Sequence, residues 1–258
     1  MIRYFQKMFY EAFQLFGIDL KCTFNTFRVM PYFIRSLLVY QKSARGTGFQ
    51  LRLKHFHPIL NDIYMPAGAT QNHYFFQDLW AAKKIFAARP SRHIDIGSRI
   101  DGFVSHLLVF MPVEIIDIRP IKSKAEGLKF IQGNATNLER FYADSIESIS
   151  SLHAIEHFGL GRYGDQVDAN AWRKAISEMV RILKPGGRLY FSVPIGAEHV
   201  EFNAHRIFAP YTILDAFSEI SLDSFAVVDD NNHFLEGVDP SDYKNSMCAC
   251  GLFEFIKP

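Results

Sequence analysis

The sequence predicts an α/β protein: an open, mostly parallel, Rossmann-like sheet with helices on both faces, behind an N-terminal helical extension. Three observations lead there. From about residue 72 short apolar runs of strand length alternate with segments of helical period. Several of those runs end in an acid or a glycine-containing turn, where ligands of such sheets sit. Residues before 72 have a different character, rich in Phe and in positive charge.

The extension comes first. Phe5, Met8, Phe9, Phe13 and Phe16 recur at helical spacing, and a second run from Phe27 to Tyr40 carries Arg28 and Arg35 among large apolar side chains. Two readings stand side by side. The helices pack on the main domain or on a second copy in a homodimer, or residues 1–45 form a basic amphipathic surface for an anionic membrane or a lipid-linked substrate. A turn-rich stretch, Ser43 to Gly48, and a loop from Asn61 to Gln71 follow, so the expected division is 1–71 and 72–258.

His73 to Ala88 is a helix stopped before Pro90. A strand at Arg92–Ile96, a glycine turn and a helix from about Asp101 to Phe110 come next. Val113–Asp117, Lys129–Gln132 and Ile146–Leu152 read as further strands. A helix at Ala171–Leu183 runs into Lys184-Pro-Gly-Gly187, and Arg188–Val193 is a strong strand. Tyr211–Phe217 is helical, and Ser224–Val228 and Met247–Phe255 close the chain as strands.

Composition narrows the function classes. With 258 residues, 48% hydrophobic and 21% charged, the chain is neither disordered nor fibrous. A net charge of +1 argues against nucleic acid as a partner. That balance joins two unequal parts: residues 1–60 hold nine Lys/Arg against two Asp/Glu, and the rest hold 19 against 25. Three cysteines make no disulfide framework. Cys248 and Cys250 have no further Cys or His in the eight residues after them, so alternate strand positions explain the pair and no metal is expected. Charges interrupt the N-terminal apolar residues well short of the roughly 20 a membrane span needs. The expected location is cytoplasmic, with peripheral contact at the inner face of the membrane under the second reading of residues 1–45.

The chemistry concentrates at strand ends. In His93-Ile-Asp95-Ile-Gly97-Ser98-Arg99, a buried strand delivers an acid, then a glycine turn, then a helix N-terminus whose free N–H groups suit a ligand. The next strand ends in Asp117, where a carboxylate can accept from both ribose hydroxyls. The third ends before Gly133-Asn134-Ala135, whose Asn134 suits an adenine amino group.

Asp95-x-Gly97, Asp117, Asn134 and above all Arg181-Ile-Leu-Lys-Pro-Gly-Gly-Arg188-Leu-Tyr-Phe-Ser-Val-Pro194 resemble the class I S-adenosylmethionine-dependent methyltransferases. The resemblance covers about residues 90 to 258. It implies a seven-stranded sheet whose last strand is antiparallel and inserted between two others, with S-adenosylmethionine as cofactor. More closely, His73-Tyr-Phe-Phe-Gln-Asp78, Asp95-Ile-Gly-Ser-Arg-Ile-Asp-Gly102 and His153 to Asp165 resemble an uncharacterised methyltransferase-like family, a domain of unknown function. Members of that family among bacterial surface-glycan clusters imply a sugar or glycan-type acceptor.

The expected cofactor contacts are Asp95, Gly97, Ser98, Arg99, Asp117, Asn134 and Ala135, with Tyr74 and Gln77 from the helix that precedes the first strand. Arg99 departs from the family pattern: it stands where a second glycine is usual, either crowding the methionine end of the cofactor or pairing with its carboxylate. Methyl transfer needs alignment and, for a hydroxyl acceptor, proton removal. His153, just past the fourth strand, and His199, in the loop after the fifth, are the candidate bases. His157, Arg162, Tyr163, His205 and Arg206 are the candidate acceptor contacts. The expected function is therefore O-methylation of a sugar or glycan-type intermediate. A catalytically inactive methyltransferase-like binding or scaffold protein is the alternative, and an absent Gly-x-Gly-x-x-Gly disfavours a nicotinamide enzyme.

Overall fold

The computed structural model describes residues 12–52, 54, 56–65 and 72–258. The chain divides into two compact units, Met1–Ala69 and Thr70–Pro258.

In the first unit the run around Phe27 to Tyr40 becomes part of one long helix, α1 (Leu20–Ser43). Asp19 caps it, its side chain accepting from the Cys22 amide at 2.9 Å, and Lys42 sits in the last turn where the helix dipole favours a cation. Asn61 donates to Thr26 Oγ1 at 3.4 Å, Arg28 lies 5.3 Å over the Tyr64 ring, and Phe33 meets Phe56 at 5.9 Å. Val29 is the buried residue of the helix, while Phe24 and Phe27 are exposed. Phe5, Met8 and Phe9 lie outside the described residues. No helix among the described residues is long and apolar enough to cross a membrane.

The second unit is built on a sheet of eight strands. These are β1 (Ile94–Ile96), β2 (Val113–Asp117), β3 (Leu128–Gln132), β4 (Ile146–Leu152), β5 (Leu183–Ile195), β8 (Ser221–Val228), β9 (Phe234–Glu236) and β10 (Ala249–Ile256), in the order β3-β2-β1-β4-β5-β10-β8-β9. The strands from β3 to β5 are parallel, and β10 enters antiparallel between β5 and β8. The strand order turns back at β1, which pairs β2 on one side and β4 on the other, and this is the switch point that opens a ligand crevice. The eighth strand, β9, is a three-residue addition at the β8 edge, too short to register as alternation in sequence. For the same reason the hairpin of β6 (His199–Glu201) and β7 (His205–Ile207) is legible only in the structure.

Helices cover both faces. On one side α2 (His73–Ala88) buries Trp80, Ala81 and Ile85 against Val113, Tyr190 and Leu252. On the other, α4 (Ala171–Ile182) and α5 (Pro210–Ala216) bury Ile176, Met179 and Ile213 with Ile149, Phe191 and Phe253. Tyr190 and Phe191 fall in opposite cores, as the period of two along a strand requires.

Two elements depart from the sequence reading. The helix expected over 101–110 is a π-helical turn, Ile100–Val104, leading into a short α3, Ser105–Leu107. Gly102 lies in this turn, packed so closely that a Cβ there would meet the Asp78 carboxylate on α2. The strand expected from Arg188 begins at Leu183 and includes the Lys-Pro-Gly-Gly segment. Gly186, at φ +73°, makes the bulge there, and its amide donates to Lys257 O at 2.8 Å.

Candidate active site

A cleft of about 770 Å3 lies at the carboxyl ends of β1 to β4, within the roughly 300–1,000 Å3 of small-molecule sites. Each strand contributes differently to its wall.

Asp95 is fully buried beneath the cleft rather than facing it. Its carboxylate accepts from Ser98 N at 3.0 Å, Ser98 Oγ at 2.6 Å and Ser150 Oγ at 2.6 Å, so it shapes the glycine turn from below. Burial pushes its carboxyl up to about 6. Gly97 turns at φ +73° with a Cβ position only 3.1 Å from the Ala154 Cβ, which leaves its backbone bare at the cleft surface. Gly97, Ser98 and Arg99 all line the wall. The Arg99 side chain pairs with Asp101 through Nε at 3.2 Å and Nη2 at 2.8 Å, and its guanidinium lies 5.0 Å over the Tyr74 ring. Arg99 is thus part of the wall at the mouth, and the cleft keeps its volume.

At the end of β2, Asp117 lines the cleft, its carboxylate gripped by Arg119 through N at 2.8 Å, Nε at 3.0 Å and Nη2 at 2.7 Å. Ile116, Ile118 and Ile121 supply apolar surface beside it. After β3, Asn134 and Ala135 form the next part of the wall, with Asn134 Oδ1 accepting from Thr136 N at 3.0 Å.

After β4 the chain places two imidazoles around one buried carboxylate. His153 sits at φ +47° with Nδ1 2.8 Å from Glu156 Oε1, and its ring lies parallel to that of His73, 5.4 Å away. Burial opposes charge on His153, but Cys250 and Glu156 beside it raise it well above its ordinary value. Burial likewise works against the Glu156 charge, and His153 and His157 more than offset it, holding the carboxyl below its usual range. His157 donates Nδ1–H to Ala204 O at 2.7 Å, which fixes the tautomer and leaves Nε2 as an acceptor 3.7 Å from Glu156 Oε1. Burial dominates at His157 and lowers its pKa. Both histidines line the cleft, with Tyr163 edge-on to His157 at 5.6 Å.

The fold therefore gathers Tyr74, Gly97, Ser98, Arg99, Asp117, Asn134, Ala135, His153, His157 and Tyr163 around one cleft. The remaining sequence candidates do not line the cleft, although Arg162 and His205 lie against His157. Gln77 is buried, accepting from Ser192 Oγ at 2.7 Å and donating to Asp78 at 3.1 Å, because its helical position faces the sheet. Arg162 and Arg206 brace the loops, donating to Ala204 O at 2.8 Å and Phe158 O at 2.6 Å. His199 and His205 belong to the β6–β7 hairpin and face Glu201 at 3.9 and 3.5 Å.

Sequence reasoning missed Arg119, Phe158, Gln166 and Lys174, all in the wall. Arg119 had a signal: it stands two residues after Asp117, the spacing at which an Asp side chain accepts from the backbone N–H. Phe158 and Gln166 lie in loops and Lys174 in the first turn of α4, with no spacing rule to mark them.

Residues 122–230 match a family described as Caenorhabditis protein of unknown function, DUF268. No curated protein matches the chain. Among solved structures, the N-methyltransferase NodS from Bradyrhizobium japonicum WM9 is similar with a TM-score of 0.52 at 16% identity, over 74% of this chain and 99% of that one. The same enzyme in complex with S-adenosyl-L-homocysteine gives 0.50 at 14%, over 73% and 90%. A 1,6-didemethyltoxoflavin-N1-methyltransferase from Burkholderia thailandensis, with 1,6-didemethyltoxoflavin and S-adenosylhomocysteine bound, gives 0.51 at 12%, over 90% of each chain. The fold is that of the class I S-adenosylmethionine-dependent methyltransferases.

Proposed function

We propose that this chain is an S-adenosylmethionine-dependent methyltransferase whose acceptor is a hydroxyl of a sugar or glycan-type intermediate. The observation that carries the reading is the convergence of a bare glycine turn, the Asp117 carboxylate and the Asn134–Ala135 turn on one cleft at the switch point of the sheet. These residues fit the cofactor. Gly97 allows close backbone approach, Asp117 keeps one lone-pair site on Oδ2 for a ribose hydroxyl beyond the three hydrogen bonds it accepts from Arg119, and Ile116, Ile118 and Ile121 give an apolar bed for a base.

Bound there, S-adenosylmethionine supplies a methyl group already activated by its sulfonium sulfur. The protein's share is alignment and the acceptor's proton. His157 is the better placed base, because its Nδ1–H is committed to Ala204 O and its Nε2 is free to accept. Glu156, 3.7 Å from that nitrogen, balances the charge His157 gains. His153, raised by its neighbours, is poorly suited to take a proton. Gln166 and Lys174 add polar groups to the wall that suit a hydroxyl-rich acceptor.

The test is direct binding of S-adenosylhomocysteine by calorimetry. The wild-type chain binds, and Asp117→Asn weakens binding about 10- to 100-fold, the cost of hydrogen bonds to a charged group. No binding by the wild type overturns the reading. Cofactor binding with no methylated product across sugar acceptors leaves the methyltransferase-like binding module in its place.

A further inference from the structure

Behind the cleft wall the second unit holds a cluster of which only His153 lines the cleft. His73 opens α2, His153 directly follows β4, and Cys250 lies in β10, far apart in sequence. One ligand atom from each falls within 4.8 Å of the others. The three are the residue types that bind borderline-soft divalent metals.

We propose that His73, His153 and Cys250 form a three-ligand site for a divalent transition metal of the zinc class, with its fourth position open to water or a ligand. Four features support it. The Nε2 of His153 is buried with no hydrogen-bond partner, although its side chain is only 7% exposed. An orphaned imidazole nitrogen is costly, and a metal ion satisfies it by displacing its proton and taking the lone pair. The other nitrogen of that ring is held 2.8 Å from the Glu156 carboxylate, the outer-shell arrangement that orients a metal-binding histidine. His153 is also pinned by its backbone, its amide donating to Ser192 O at 3.0 Å, so the ring has little freedom to turn away. Finally, Cys250 is paired on both sides within the sheet, opposite Pro194 and Val228, which fixes the thiol on a rigid element.

Zinc distances of about 2.0–2.3 Å put tetrahedral ligand atoms roughly 3.3–3.8 Å apart, so the cluster needs to close slightly around the ion. His73, at the first turn of α2, is the ligand with room to move. A cysteine nucleophile activated by the same histidine is the competing chemistry, but Cys250 is fully buried and presents no sulfur to a substrate. The residues that follow Cys250 in the chain hold no second Cys or His. The fold supplies the other two ligands from α2 and from the residue after β4.

The site stands independently of the methyltransferase reading, and its test reads metal rather than activity. The full chain, stripped with a chelator, is titrated with Zn2+ and separately with Co2+. One ion binds per chain, and the cobalt form shows the near-ultraviolet absorption of thiolate-to-metal charge transfer. Cys250→Ser abolishes that absorption. His73→Ala, at a half-buried position whose loss the core tolerates, weakens Zn2+ binding at least tenfold and leaves thermal unfolding of the metal-free protein unchanged. Absence of saturable binding by the wild type overturns the proposal, as does equal affinity in the wild type and His73→Ala. S-adenosylhomocysteine binding is measured on the same samples, so failure of one reading is visible apart from failure of the other.

Discussion

The guanidinium of Arg119 grips the Asp117 carboxylate with Nε at 3.0 Å and Nη2 at 2.7 Å while lying 4.4 Å over the ring of Tyr163. One side chain thus joins the end of β2 to the loop after β4 across the cleft. The oxygens it holds are those a ribose would use, and its charge opposes a sulfonium cation. A carboxylate can serve both partners, but not at full strength.

Arg119→Ala therefore frees Asp117. The Arg119 side chain is half exposed, and an exposed pair is worth at most about 1 kcal/mol, or about fivefold in affinity. Calorimetry with S-adenosylhomocysteine is expected to show binding up to about fivefold tighter in this variant, with a faster association rate. Weaker binding would make Arg119 a direct cofactor contact instead.

The glycine turn gives a second prediction. Gly97→Ala places an L side chain at φ +73° and a Cβ 3.1 Å from Ala154, whereas Gly186→Ala has the same φ of +73° with nothing within 4 Å. The left-handed backbone costs about 1–2 kcal/mol in either case. Denaturant unfolding is expected to show a larger loss for Gly97→Ala, and only that variant loses cofactor affinity. Equal losses, with binding intact in both, would remove the cradle role assigned to Gly97.

What the sequence revealed and what it concealed follow from how far each signal reaches. The bounds of β2 and β4 were legible residue for residue, because alternation and acid-terminated strands are local. Asp117, Gly97 and Asn134 were legible for the same reason, each sitting where a strand ends. Asp95 was read as a cofactor contact although it works from beneath the turn; a buried and a facing acid look alike until Ser98 and Ser150 are seen around it. Gln77 was misplaced by a similar limit, since a polar residue on a helix face is legible as polar but not as pointing inward to Ser192. The cluster of His73, His153 and Cys250 was hidden altogether, because strand order alone decides that β10 returns beside β5.

The last prediction concerns His93, whose ring is fully buried between two serines, with Nδ1 2.8 Å from Ser148 Oγ and Nε2 3.0 Å from Ser150 Oγ. Ser150 spends its proton on Asp95 Oδ2 at 2.6 Å, so Nε2 of His93 must donate to Ser150, and in the neutral ring Nδ1 accepts from Ser148. Burial favours the neutral ring and lowers the His93 pKa from 6.5 to about 3. The unfolded chain binds this proton at a higher pH than the folded one. The contribution of His93 to stability is therefore complete above pH 6.5 and is lost as pH falls toward about 3, by at most about 1.4 kcal/mol per pH unit. Asp95 acts in the opposite sense. Burial raises it from 3.8 to about 6, so its contribution is present below 3.8 and is lost as pH rises to about 6. Between those values the two slopes offset one another in the wild type. His93→Gln, neutral at every pH, removes one of them. Urea unfolding is expected to show the wild type gaining on this variant by on the order of 2 kcal/mol between about pH 4.5 and pH 7. A stability difference that stays flat across that range would mean that His93 is not held neutral by its burial.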